Sequence, residues 1–397
     1  MKMRDMMKAT ARKAMLALGC GVGAGLLGQP FDSGSDGSYG PIQITANTTL
    51  ALPADGIFHA TTINVAPNVT LTFQRNPLNT PVYLLATGDV KIDGDINVDG
   101  ATGNQTVGGQ GGVGGFDGGN PASVSTPPGS GYGPGAGGGG AQGNTAASAA
   151  SGVYSSPISL NTTNQAEPYG SPLLIPLVGG SGGGGTEGNP GYGGGGGGGA
   201  ILIASNTRIT FGSNSSDVLA RGGRYQGSGN YNAGSGGAIR LVAPVIVANG
   251  ARLSVEGGGN YGGQGSPGRI RVDTLDRSGL GFNFQPSGVT SIGSLMLVFP
   301  SPVPRLDIVS AAGTAIPLGS GPVLVNLPFG SSPSQSVRVR ATGFNDLVPI
   351  SVVLTPDHGT PVRYQANIDN RTANPAETTV NVALPVNVQT QIGVWTR

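Results

Sequence analysis

One cysteine, two histidines and one tryptophan are spread over 397 residues, and only 10% of the chain is charged. A lone cysteine excludes an internal disulfide, so the fold rests on packing and hydrogen bonding. The two histidines, His59 and His358, lie in different segments, which leaves neither a histidine metal cluster nor a Ser-His-Asp arrangement to assemble. Lys+Arg number 21 against Asp+Glu 20. That balance produces no long-range field to gather polyanions, and nucleic acid is excluded as an expected partner. A long apolar run is also missing. Ala14 to Gly28 is the best stretch, and it is too short and too rich in glycine for a membrane-spanning helix.

What the chain has instead is glycine, 74 residues of it, with 30 prolines. Together they exceed a quarter of the sequence without a Gly-X-Y period, which excludes collagen and by itself points to low complexity. The 37% hydrophobic content argues the other way, because it is concentrated in β-branched clusters. Gly193 to Gly199 is an unbroken glycine run that passes directly into Ala200-Ile201-Leu202-Ile203-Ala204. The junction recurs at Gly237-Ala238-Ile239-Arg240-Leu241-Val242-Ala243 and, more weakly, at Gly268-Arg269-Ile270-Arg271-Val272. A glycine tract buries no side chain and loses the most backbone entropy on ordering, so it orders only beside something already rigid.

The apolar segments supply a repeat. Val82 to Gly100, Ile201 to Gly222 and Ile239 to Gly257 each read as three short strands and two corners ending in glycine. This is the pattern of one turn of a parallel β-helix, which must stack with others to bury its inner face. Glycine tracts leave between the copies, all from the same side. The longest excursion, 101–199, contains Val153-Tyr154, Ile158 and Leu173 to Val178 as segments expected to pack back on the solenoid. The tracts themselves are candidates for extended polyproline-II-like strands packed on one another, since only glycine permits such close backbone approach.

At the start, Lys2, Arg4, Lys8, Arg12 and Lys13 precede the apolar stretch, as in an export signal over 1–30. Cys20 follows Ala17-Leu18-Gly19, which is similar to a bacterial lipoprotein cleavage site, although Ala17 stands where that pattern has Leu. Cys20 is therefore a candidate lipidation site, against the plainer reading that it is removed with the signal. Residues 31–41 read as a linker, 42–298 as the glycine-rich solenoid and 299–304, with Pro300, Pro302 and Pro304, as a stiff connector. Over 305–397, seven regularly spaced strand-like segments, among them Val323 to Leu327, predict a C-terminal immunoglobulin-like β-sandwich. Trp395 is expected to pack in its core or at its edge. The fold class is all-β.

Segments such as Val82-Tyr83-Leu84-Leu85-Ala86-Thr87-Gly88-Asp89-Val90 and Gly236-Gly237-Ala238-Ile239-Arg240-Leu241-Val242-Ala243, alternating with glycine tracts, resemble a group of uncharacterised exported bacterial proteins with glycine-rich right-handed parallel β-helix repeats. The resemblance covers about Phe31 to Asp276. It implies a fold and an export route and carries no catalytic residue.

Candidate chemistry is sparse. Asp93, Asp95 and Asp99 fall on the outer face of one turn, where acids bind a calcium ion or a sugar, or simply keep a solenoid soluble. No other cofactor is expected. Gly229-Asn230-Tyr231 recurs as Gly259-Asn260-Tyr261, and the pairs Asn230/Tyr231 and Asn260/Tyr261 are candidates for contact with sugar faces or another protein surface. The bland alternative is that each ring pins its own loop. The expectation is an exported, non-enzymatic cell-surface or matrix protein serving adhesion or structure, with polysaccharide or envelope proteins as partners. The alternative is a carbohydrate-active β-helix of the lyase or hydrolase kind, using the aspartate face.

Overall fold

Strands alternating apolar and polar residues with period two form a coil whose inner side is aliphatic. The computed structural model describes residues 30–140, 150–156, 167–188, 191–212, 216–224, 232–259 and 265–396, and Phe31–Arg397 form one unit. The coil begins with β1 (Gly40–Ile44) and β2 (Thr48–Ala51), followed by β3 (Ile57–Val65) and β4 (Thr70–Gln74). The next turn holds β5 (Val82–Ala86), β6 (Val90–Ile92) and β7 (Asp95–Asn97), and the one after it β8 (Ala200–Ser205), β9 (Arg208–Phe211) and β10 (Asp217–Leu219). Then come β11 (Ala238–Val242) and β12 (Val245–Ser254), β13 (Arg269–Asp273) and β14 (Leu280–Gln285), and finally β15 (Thr290–Gly293).

All these strands pair in parallel with those of the turns above and below, giving a 15-stranded sheet consistent with a parallel β-helix. One face stacks β3, β5, β8, β11, β13 and β15, and a second stacks β1, β3, β6, β9 and β12. The third stacks β2, β4, β7, β10, β12 and β14. Strands β3 and β12 serve two faces each by bending at a corner. In β12 the register slips between Asn249 and Arg252, where Gly250 takes φ +80°, a conformation that side chains strain. The expected repeat register holds. Val82 pairs with Ile201, Ile201 with Ile239, Ile239 with Ile270, Ile96 with Val218 and Val218 with Leu253. Ile201, Ile239 and Ile270 share one buried core, where each such side chain contributes about 1.5–3 kcal/mol.

The outer side of the first face is buried as well. Leu85, Leu202, Ala204 and Val242 lie under Tyr154, Leu174, Leu177 and Val298. This is the predicted return of the long excursion; Ile158 lies outside the described residues. Residues 31–35 lie along the same sheet, with Ser33 Oγ donating to Ala86 O and Ser35 Oγ to Ala60 O.

The glycine tracts form a second ordered body, built from backbone. Each of the seven residues Gly193 to Gly199 donates its N–H to a neighbouring segment, in strict rotation and at 2.6–3.0 Å. Gly193, Gly196 and Gly199 bond to Asn104, Ala101 and Val98; Gly194 and Gly197 bond to Gly119 and Phe116; Gly195 and Gly198 bond to Asn232 and Ser235. Carbonyls of the same run accept in rotation from other segments: Gly194 and Gly197 from Gly109 and Gly112, Gly195 and Gly198 from Gly183 and Gly180, and Gly196 from Gly223. A partner that changes with every residue and returns every third is the signature of a polyproline-II-type helix, which has three residues per turn and no internal hydrogen bonds. Packed side by side, such helices form a lattice. A methyl group on Gly197 would overlap the carbonyl oxygen of Gly180, and one on Gly237 that of Gly199.

The C-terminal part holds β16 (Arg305–Ala311), β17 (Thr314–Ala315), β18 (Ser334–Thr342), β19 (Leu347–Pro356), β20 (Val362–Asp369), β21 (Ala376–Ala383) and β22 (Thr390–Thr396). They form two antiparallel sheets, β17-β16-β18-β21 and β20-β19-β22, over one core containing Val337, Val339, Ile350, Val352, Leu354 and Ile368. The strand expected at Val323 to Leu327 does not form. Val323, Val325 and Leu327 alternate in the sequence, but the segment joins no sheet and no strand pairs with it. The outward residues Ser351, Val353 and Thr355 of β19 are buried too, because this sheet rests on the glycine lattice. Trp395 packs edge-to-face on Phe116, ring centroids 5.1 Å apart, while Ser130 Oγ donates to Gly359 O and Gly359 N–H to Pro128 O. Trp395 thus sits on an edge strand and faces the lattice.

Candidate functional site

The lattice segments leave the solenoid after β7, β10 and β12 and re-enter it at β8, β11 and β13. Their far reversals are closed by backbone bonds from Asn104 to Val107, Gly129 to Asn120 and Thr186 to Tyr192. These reversals are neighbours, since Gly193 and Gly194, next to Tyr192, bond to Asn104 and Gly119. The lattice therefore gathers chain reversals far apart in sequence onto one end.

The side chains there are short, polar and exposed, with apolar residues among them. Asn104 Oδ1 accepts from the N–H groups of Thr106 and Val107, which fixes the turn and leaves Gln105, Thr106 and Val107 facing water. Gln105 Nε2 donates to Tyr192 Oη at 3.1 Å. In the next reversal Ser123 and Thr126 share a hydroxyl hydrogen bond of 2.6 Å, and Val124 is fully exposed. An amide beside a phenol, with exposed valines nearby, suits the mixed polar and apolar faces of a sugar or a protein. The repeated pairs Asn230/Tyr231 and Asn260/Tyr261 lie outside the described residues, as does Cys20.

The three aspartates of the acidic face are each engaged separately. Asp93 takes Lys91 at 2.6 Å, and Asp99 is gripped by the Arg221 guanidinium at 2.7 and 3.0 Å and by its N–H at 2.6 Å. Asp95 accepts the N–H of Asp217, whose carboxylate pairs with Arg252 on the following turn. Partial burial is the main cause that raises the Asp95 pKa above the ordinary carboxylate value, with the neighbouring Asp217 charge adding to it. The arrangement is a ladder of ion pairs running across turns. Among the described residues no group of three or more His, Cys, Asp or Glu side chains converges to hold a metal.

Two clusters were not apparent in the sequence. Arg240 is fully buried on the outer side of the first face, donating to Leu297 O at 2.6 Å and to Asp273 at 3.3 Å, while its Nε and Nη1 have no partner. Asp273 is equally buried and also takes Arg271. Burial lowers the Arg240 pKa and pushes that of Tyr83, beside it, up to about 12. The second cluster ties the lattice to the solenoid: Arg75 donates to Asp117 Oδ1 at 2.6 Å, to Gly115 O at 2.9 Å and to Asn79 Oδ1 at 2.8 Å. Nearby, Tyr132 Oη donates to Asp357 at 3.1 Å across the contact with the C-terminal sheets. Each of these clusters joins parts of the fold.

No protein-family model, curated protein or solved structure matches the chain. Among the described residues no helix is long and apolar enough to cross a membrane.

Proposed function

We propose that the protein is an exported, non-enzymatic cell-surface or matrix protein that works as a rigid display scaffold. In this reading the solenoid is a right-handed parallel β-helix, the C-terminal sheets are an immunoglobulin-like sandwich, and the far reversals of the glycine lattice form the binding surface. The observation that carries it is the backbone lattice centred on Gly193 to Gly199, which gathers exposed turns from distant parts of the chain onto one end. Residues held this way lose little further entropy on binding, which favours recognition by a preorganised surface. The basic first 13 residues and the apolar stretch around Cys20 support export; Cys20 is a candidate lipid anchor to a bacterial outer membrane, against the plainer reading that it is removed with the signal. Polysaccharides and envelope or matrix proteins are the expected partners.

The test is binding of the purified chain to glycan arrays and to whole cells, with Gln105→Ala, Val107→Ser and Val124→Ser introduced together. The reading expects binding that the triple variant loses while its melting temperature is unchanged. Unaltered binding by the triple variant would move the surface elsewhere, and turnover of a glycan library would overturn the non-enzymatic reading.

A further inference from the structure

The two C-terminal sheets meet more closely along one side than along the other. On the closer side β20 and β21 lie together, and Ile368, Val380 and Val382 are buried. On the other side β22 ends its sheet, pairing with β19 on one edge and with no strand on the other. The inward residues Ile392 and Val394 of β22, and Leu306 and Ile308 of β16 across from them, are only partly buried. β16 and β22 touch along this side, and the outer edge of β22 carries no strand.

The same chain carries a segment that belongs to no sheet. From Gly321 to Leu327 the backbone makes no hydrogen bond among the described residues, and Val323, Leu324 and Leu327 are exposed. Seven residues, Pro322 to Pro328, match the seven of β22 in length. Val323, Val325 and Leu327 share one face, as an inward strand face requires. Their N–H groups also point to one edge of the strand, while Pro322 and Pro328, which have none, fall on the opposite edge. Pairing through the first edge leaves an outer edge with N–H groups only at Leu324 and Asn326, a poor template for a further strand. The segment does not lie on its own β22. Its start lies beside the turn between β4 and β5, where a methyl group on Gly321 would touch Pro77, and bonds from Ser320 to Pro317 and from Ser331 to Pro328 close turns at its two ends.

We propose that Pro322–Pro328 of one copy adds as a strand to the free edge of β22 in a second copy, burying Val323, Val325 and Leu327 against Ile392, Val394, Leu306 and Ile308. The occupant is a second copy because the free edge of β22 and the unpaired segment belong to the same sequence and match in length, with apolar residues alternating in both. Main-chain hydrogen bonds supply the affinity of such an added strand and the alternate side chains its specificity. The contact joins two different surfaces, so it propagates as a chain of copies or closes into a ring.

The experiment uses the full chain carrying Cys20→Ser. Val325→Cys and Val394→Cys are made in separate preparations, mixed and oxidised; Ile392→Cys replaces Val394→Cys in a parallel mixture to cover the neighbouring register. The expected result is a disulfide-linked dimer in one of the mixtures and none with Leu324→Cys, which faces away. Light scattering of the unmodified chain is expected to show larger species growing with concentration, and Val325→Pro, which deletes a pairing N–H, to abolish them. Because the segment makes no internal hydrogen bond, Val325→Pro leaves the melting temperature of the monomer unchanged. A monomer at every concentration with no intermolecular disulfide overturns the proposal. So does an intramolecular disulfide in the monomeric double variant Val325→Cys/Val394→Cys, which would place the segment on its own β22.

Discussion

The solenoid and the glycine lattice are both ordered, buried and repetitive, and they use opposite parts of the amino acid. In the solenoid the backbone bonds along regular ladders and side chains such as Ile201, Ile239 and Ile270 fill the centre. In the lattice the interior is mostly backbone, with a few small side chains such as Ser181, Ser235 and Ala233 buried in it, and every N–H from Gly193 to Gly199 goes to a different neighbour in turn. The first is held by removing hydrocarbon from water and the second by hydrogen bonding at close approach. A net contribution of about 0.5–1.5 kcal/mol per hydrogen bond makes the lattice dependent on the solenoid that aligns it.

The sharpest way to break this comparison is one methyl group. Gly237→Ala and Gly197→Ala are expected to exceed the roughly 1–3 kcal/mol usual for overpacking, because the obstacle is a fixed backbone carbonyl, and to yield little folded protein in a thermal melt. Gly288→Ala, where a methyl meets open space, is the control and should leave the melt unchanged. In the solenoid the comparable injuries are removals. Asp273→Ala strands the buried Arg240 charge and should cost about 3–5 kcal/mol in denaturant unfolding, whereas Asp273→Ala combined with Arg240→Met should recover much of it. Ile239→Ala on the inner face should cost about 2–5 kcal/mol and Ile239→Val about 0.5–1.5.

Alkaline pH separates the regions more gently. Tyr83, at the edge of the covered sheet, titrates at about 12 instead of 10.0 because burial disfavours its phenolate. The unfolded chain releases that proton from pH 10 and the folded chain only near 12, so the stability contributed by the neutral phenol is intact below pH 10 and lost as pH rises between them. Tyr154, buried in the cover over the same sheet, and Tyr169, packed half-buried against it, are raised for the same cause. Tyrosine ionisation followed by ultraviolet absorbance should therefore coincide with loss of far-ultraviolet circular dichroism. Independent transitions would contradict this. The smallest effect is expected on the outer surface, where Arg221→Ala removes one rung of the ion-pair ladder and should cost about 0–1 kcal/mol, less in high salt.

The solenoid was legible because its side chains encode it. Val82, Ile201, Ile239 and Ile270 could be aligned by eye, and they are partners in space. The lattice was legible only as a possibility of glycine: with no side chain to distinguish one residue from the next, nothing in Gly193 to Gly199 names Asn104, Gly119 or Asn232 as a partner. Arg240 stood at an outward position of its strand and gave no sign of burial, because the residues covering it, Leu297 among them, come from more than fifty positions away. Val323 to Leu327 reads as a strand and forms none, since alternation reports the faces a strand would have and says nothing about its neighbours. The acidic face was placed correctly on the outside, but its arginine partners on adjacent turns were not foreseen.

Rotation of hydrogen-bond partners imposes a counting rule on insertions and deletions. Removing one glycine from the run before Ala200 would swing each remaining amide through a third of a turn, away from its own acceptor and towards another neighbour. Removing three would shorten the arm and leave the surviving amides in phase. Length variants of this protein should therefore be tolerated in steps of three within the glycine arms, and in whole coils within the solenoid.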